Sequence, residues 1–133
     1  MLYASGGGLD SERDKSHYSL EFYTTHRGES LVDEFLDKLP LRHRTKILQW
    51  FEKLTEYGPN LPRPYADVLD GAIRELRIQF GHHHYRFLYF FHFKNIVLTH
   101  GFLKKTGAVP VEDILRATRY RKEWFIKIGK EPA

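Results

Sequence analysis

The chain of 133 residues contains no cysteine, a single methionine and only two tryptophans. Without cysteine there is no disulfide framework, no thiolate metal site and no cysteine nucleophile, which agrees with an expected cytoplasmic location. Long apolar runs are also missing. No stretch approaches the roughly 18 residues of a membrane span, and the N-terminus lacks the apolar core of a signal peptide. A Walker loop, a Gly-x-Ser-x-Gly elbow and a His-Glu-x-x-His helix are all absent, so three familiar catalytic devices have no foothold.

What is present is ordinary in amount and uneven in placement. The hydrophobic content of 41% with 29% charged residues suits a globular domain, and the length suits one domain rather than two. Residues 1–71 hold nine Lys/Arg against twelve Asp/Glu, whereas residues 72–133 hold twelve against five. The net +4 therefore conceals a second half of +7. Such concentration favours a nucleic-acid or acidic partner, with a solvated basic face as the plain alternative.

Residues 1–17 mix glycine, serine and charge without periodicity and read as a flexible leader. The expected organisation is one domain over 18–128 with a short tail at 129–133. Tyr18 to Tyr23 alternates as a strand, with Tyr18, Leu20 and Phe22 on one face. Ser30 is a good N-cap for a helix carrying Leu31, Phe35 and Leu39. Pro40 interrupts it, and a second helix is expected from about Arg42 to Tyr57, closed by Gly58. A break that short implies an antiparallel helical hairpin, whose stripe of Ile47, Trp50, Phe51 and Leu54 reads as core.

Residues 58–71 hold three of the six prolines and read as loop. Three antiparallel strands follow, at about 73–80, 84–92 and 96–103. In the middle one, Tyr85, Phe87, Tyr89 and Phe91 alternate with Arg86, Leu88 and Phe90. Both of its faces are apolar, so it should be covered on both sides. Arg86 intrudes there and needs a partner or an opening to solvent. Pro110 then opens a last helix with Glu112 and Asp113 in its first turn. Ile114, Leu115, Ala117 and Trp124 are expected to bury, while Arg116, Arg119, Arg121 and Lys122 face outward. The fold class is α+β.

Two clusters carry candidate chemistry. Arg77 and Arg86 fall on adjacent strands, and Lys104 and Lys105 end the next one. Fixed positive charge of this kind suits phosphoryl chemistry, and a guanidinium fork grips two phosphate oxygens at once. The plain alternative pairs Arg77 with Glu75 or Glu112 and leaves the lysines solvated. The second cluster is His82-His83-His84, with His92 and His100 on neighbouring strands. It lacks the acidic or cysteine ligands that would complete a metal site, so no metal is expected. A histidine there could instead act as general acid or base. Tyr85 and Tyr120 are candidates for stacking on bases, or else core.

The run Leu69-Asp70-Gly71-Ala72-Ile73-Arg74-Glu75-Leu76-Arg77, then Tyr85-Arg86-Phe87-Leu88-Tyr89, then Gly101-Phe102-Leu103-Lys104-Lys105-Thr106, then the helix begun by Pro110, resembles the HigB/RelE-type toxins. Its phage-derived HigB-like branch is the nearest likeness, over about residues 18–126. The resemblance implies a helical hairpin and a closing helix packed on a small, curved, mostly antiparallel sheet. It implies a ribosome-dependent mRNA endoribonuclease of a type II toxin–antitoxin pair, working without metal or other cofactor by attack of the 2′-hydroxyl. By position, Arg77, Arg86 and Lys104 or Lys105 would be catalytic. His84, Tyr85, Arg119 and Lys122 are the candidate residues for binding RNA. The implied partners are the ribosome, mRNA and a helix-turn-helix antitoxin, in a homodimer or a heterotetramer with the antitoxin. The histidine triplet departs from the family pattern. The same fold also hosts toxins that inhibit gyrase, and a plain nucleic-acid-binding module is the third alternative.

Overall fold

The computed structural model describes residues 17–105 and 107–130. The expected leader falls almost wholly outside the described residues, as do Thr106 and the last three residues of the tail. The element order is β1 (Ser19–Phe22), α1 (Leu31–Asp37), α2 (Leu41–Tyr57), a 3₁₀ turn (Gly58–Asn60), β2 (Ala66–Asp70), β3 (Ile73–Phe80), β4 (His83–His92), β5 (Asn95–Leu103) and α3 (Val111–Lys127). The strands form one sheet in the order β1-β5-β4-β3-β2. All neighbours are antiparallel except β1, which runs parallel to β5. The architecture is α+β, as expected.

The double-faced alternation of β4 explains the layers. Tyr85, Phe87 and Tyr89 enter a core with Leu76, Ile78, Ile96 and Leu98 of the neighbouring strands and Val32, Leu36, Ile47, Phe51 and Leu54 of α1 and α2. Leu88 and Phe90 point the other way, into a second core with Ile73, Val97, Ala117, Trp124 and Phe125. Each large side chain so buried contributes about 1.5–3 kcal/mol. Gly101 sits opposite Phe87, and a Cβ there would collide with the Phe87 ring. The close approach explains glycine in a strand interior.

Local signals set the ends of the elements. The Ser30 hydroxyl accepts a hydrogen bond from the Asp33 N–H at 3.2 Å and so caps α1. Pro40 and Pro110 are N-caps, one position before the first helical residue. For Pro110 this is one place earlier than the N1 position expected.

Two readings need correction. The stretch 58–71 is not all loop, because Ala66–Asp70 pairs with β3 as an edge strand, with a bulge between Val68 and Asp70. Its aspartates and preceding prolines mask its alternation, and an edge tolerates both. Leu115 is not core. It is 61% exposed, because the buried row of α3 runs through Ala117, Tyr120 and Trp124.

Candidate functional site

Side-chain alternation decides what β3 and β4 present. Glu75, Arg77 and Gln79 of β3 share one face, and the register sets Leu88, Arg86 and His84 opposite them in turn. Arg77 and Arg86 are thus direct cross-strand partners. Two like charges so placed repel unless an anion lies between them.

Glu75 supplies that anion. Its Oε2 accepts from Arg77 Nε at 3.0 Å and Nη2 at 2.7 Å. Its Oε1 lies 3.1 Å from Arg86 Nε as an ion pair, off line for a hydrogen bond. The Glu75 side chain is 4% exposed, against 11% for Arg86 and 31% for Arg77. Arg86 Nη1 also donates to the Tyr85 carbonyl at 3.2 Å. Arg77 Nη1 and Arg86 Nη2 take no part in these bonds. Burial pulls Arg86 below the usual arginine range, with Glu75 opposing the shift and Arg77 adding to it. Asp67 of β2 adds a second carboxylate, 3.4 Å from Arg77 Nη2 and 3.1 Å from Arg63 Nε. The Val68 N–H, chiefly, holds the Asp67 carboxyl below its ordinary value.

The arginine pair divides two hollows. One, of about 420 Å³, is bounded by Asp67, Glu75, Arg77, Arg86, Lys104 and the 107–109 loop. The other, of about 380 Å³, is bounded by Arg77, Arg86, His84, Gln79, Lys46 and the aromatic rings of Trp50 and Tyr65. Lys104 is held beside β4 by its N–H, which donates to the His84 carbonyl at 2.7 Å.

The structure therefore brings together Arg77, Arg86, Lys104 and His84. Lys105 is exposed and lines neither hollow. Tyr85 does not offer a ring for stacking. It is 2% exposed, and its hydroxyl lies 2.6 Å from His43 Nδ1. Burial, then the charges of His83 and Arg42, lower His43. Tyr120 is also buried, stacked on Tyr23 with ring centroids 4.9 Å apart. Arg119 pairs with Glu123 at 3.7 Å beside Thr25 and Glu29, towards the β1 edge of the sheet. Lys122 is exposed on α3 and borders neither hollow.

The histidine triplet is split by the fold. His82 lies in the β3–β4 turn, His83 stacks with Tyr85 and meets His43 edge-on at 4.8 Å, and His84 faces the arginines. Among the described residues no three His, Asp or Glu side chains converge as metal ligands.

Reasoning from the sequence missed Asp67 and the wall of Lys46, Trp50, Tyr65 and Gln79. Glu75 was named only as one of two pairing alternatives. Its signal is the spacing Glu-x-Arg within a strand, which puts both side chains on one face. No comparable signal links Trp50 to Tyr65, which are brought together by tertiary packing alone.

A family model described as phage derived protein Gp49-like (DUF891) matches residues 34–122. No curated protein matches the chain. Among solved structures it is similar to the toxin–antitoxin complex RelBE2 from Mycobacterium tuberculosis, at 18% identity and a TM-score of 0.49, over 66% of this chain and 99% of that one. It is also similar to the archaeal RelE–RelB complex from Pyrococcus horikoshii OT3, at 23% identity and a TM-score of 0.47, over 70% of this chain and 99% of that one.

Proposed function

The chain belongs to the Gp49-like family of phage-derived proteins, and from that premise we propose that it is the toxin of a toxin–antitoxin pair, an endoribonuclease that cuts mRNA on the ribosome. The observation that carries this reading is the cross-strand pair Arg77–Arg86, flanked by Lys104 and His84, at the divide between two open hollows. The set of motifs that resembles the HigB/RelE-type toxins runs through the same strands.

The chemistry follows from the charges. The ribose 2′-oxygen attacks the adjacent phosphorus, a 2′-O–P bond forms, and the P–O5′ bond breaks. A 2′,3′-cyclic phosphate and a 5′-hydroxyl are left. Negative charge grows on the non-bridging oxygens, where Arg77 Nη1, Arg86 Nη2 and Lys104 would donate to it. His84 would receive the 2′-hydroxyl proton, and a proton from solvent would go to the departing 5′-oxygen. Glu75 fixes the two guanidiniums before substrate arrives, so little reorganisation accompanies the reaction. A helix-turn-helix antitoxin would hold the protein inactive by covering these hollows.

A second reading rests on the same Glu75. A buried carboxylate shared by two arginines is also what a purely structural ion pair looks like. The protein would then be a non-enzymatic toxin that docks on a protein such as gyrase. Primer extension on a reporter mRNA in a translation extract separates the two. Under the nuclease reading, new 5′ ends appear only while ribosomes translate. Arg77→Ala, which keeps the Arg86–Glu75 pair, lowers cleavage about 10²–10³-fold without unfolding the protein. Intact transcripts together with inhibited DNA supercoiling would establish the docking reading instead.

A further inference from the structure

The hollow on the Trp50 side of the arginine pair contributes only His84 and the shared arginines to the chemistry above, yet its aromatic wall has the build of a recognition site. Its size, about 380 Å³, lies in the usual range of about 300–1,000 Å³ for ligand pockets. One wall is the Trp50–Tyr65 pair, stacked with centroids 4.8 Å apart and planes at 29°. Trp50 is anchored from behind by the main core, whereas Tyr65 is 42% exposed. Tyr65 is also tied to the arginine strand, because the Arg77 N–H donates to its carbonyl at 2.8 Å. Lys46, Gln79 and His84 complete the wall with polar groups.

We propose that this hollow binds the base of one nucleotide flanking the phosphate held by Arg77 and Arg86, with Tyr65 as the stacking platform and Trp50 as its support. The inference rests on the nuclease reading for that phosphate's place and adds a base-recognition subsite to it. A phosphate at the arginines puts its two nucleosides on either side, and only this side offers an aromatic face. The other hollow is walled by carboxylates, Lys104 and a loop, with no ring. Tyr65 is buttressed on one side by indole and fixed through its carbonyl, so little side-chain freedom is lost when a base stacks on it. Gln79 and Lys46 are placed to read the base edge or the next phosphate. Trp50, which the helical spacing assigns to the core alone, then serves both core and site.

The test is the affinity of the full chain for a labelled single-stranded hexaribonucleotide, beside the same backbone with abasic positions, by fluorescence anisotropy at low salt. Wild type should bind the base-bearing strand roughly tenfold more tightly than the abasic one, the size of one stacked base. Tyr65→Ala should erase that ratio and Tyr65→Phe should keep it. Equal affinity of wild type for both strands, or an equal loss for both in Tyr65→Ala, overturns the proposal, as does failure to bind either. Because wild type alone gives the ratio, misfolding of a variant does not blunt the test. Cleavage in the translation extract separates this inference from the nuclease reading. A base-dependent ratio without cleavage leaves the subsite standing and removes the nuclease. Unchanged cut positions and rates in Tyr65→Ala do the reverse.

Discussion

At the scale of residues, the site depends on one buried carboxylate. Glu75 neutralises one charge of a cross-strand arginine pair and sets where both guanidiniums point. Glu75→Gln keeps the shape but leaves two like charges facing each other in a largely dry place. Breaking a buried pair in this way costs about 3–5 kcal/mol. The denaturant midpoint of Glu75→Gln should fall accordingly at unchanged slope, and a loss below about 1 kcal/mol would mean that water already reaches the carboxylate. His100 gives a pH-dependent counterpart. Its Nε2 donates to Asp113 Oδ1 at 3.0 Å, and its Nδ1 meets the Thr99 hydroxyl at 3.1 Å. Burial, the largest influence, lowers its pKa despite Asp113. The unfolded chain therefore takes up a proton below the ordinary value of 6.5, while the native state still resists it. Stability should be full above that pH and decline as pH falls from 7 towards the lowered native value. Urea unfolding at pH 7 and pH 5.5 should show a smaller decline for His100→Gln than for wild type.

At the scale of elements, the β4–β5 hairpin holds an anomaly. Phe93 has φ 55° and is 85% exposed. A bulky side chain at positive φ carries strain, and asparagine or glycine is the usual residue in such a turn. Phe93→Asn should raise stability by about 1 kcal/mol, read as a higher melting temperature with unchanged activity. No pattern of alternation reveals such strain, and the contrast shows what a linear sequence carries. The strands β3, β4 and β5, α1 with its Ser30 cap and the stop at Gly58 follow from period and punctuation, which are local. Arg86 as an intruder was equally visible, since a charge breaks a run apolar on both faces. The edge strand β2 was hidden by Asp67, Asp70 and the prolines before it. The fates of Tyr85 and Tyr120 were hidden too, because an aromatic in a double-faced strand or an amphipathic helix reads alike whether covered or open. Only packing against His43 and Tyr23 decides them.

At the scale of the whole molecule, the question is where the basic charge of the second half goes. Strand order separates it into two regions. Arg77, Arg86 and Lys104 gather towards the β3 side of the sheet, joined by Lys46 from α2, whereas Arg119 lies towards the β1 edge with Glu123. If RNA lies across the two hollows, Arg77, Arg86 and Lys104 share one phosphate, Lys46 meets the next, and Arg119 and Lys122 meet none. Counterion release then sets the salt dependence: for single strands the slope of log K against log salt is about −0.7 per phosphate neutralised. The hexaribonucleotide should therefore bind with a slope of about −1.4. Lys46→Ala should make it shallower by about 0.7, and the double variant Arg119→Ala/Lys122→Ala should leave it unchanged. A slope near −3 or steeper that moves with the Arg119 and Lys122 variant would instead extend the RNA path over α3. Tyr65→Ala should weaken binding at every salt concentration without changing the slope, because stacking releases no counterions. The two variants thus divide one affinity into a part that salt removes and a part that it does not.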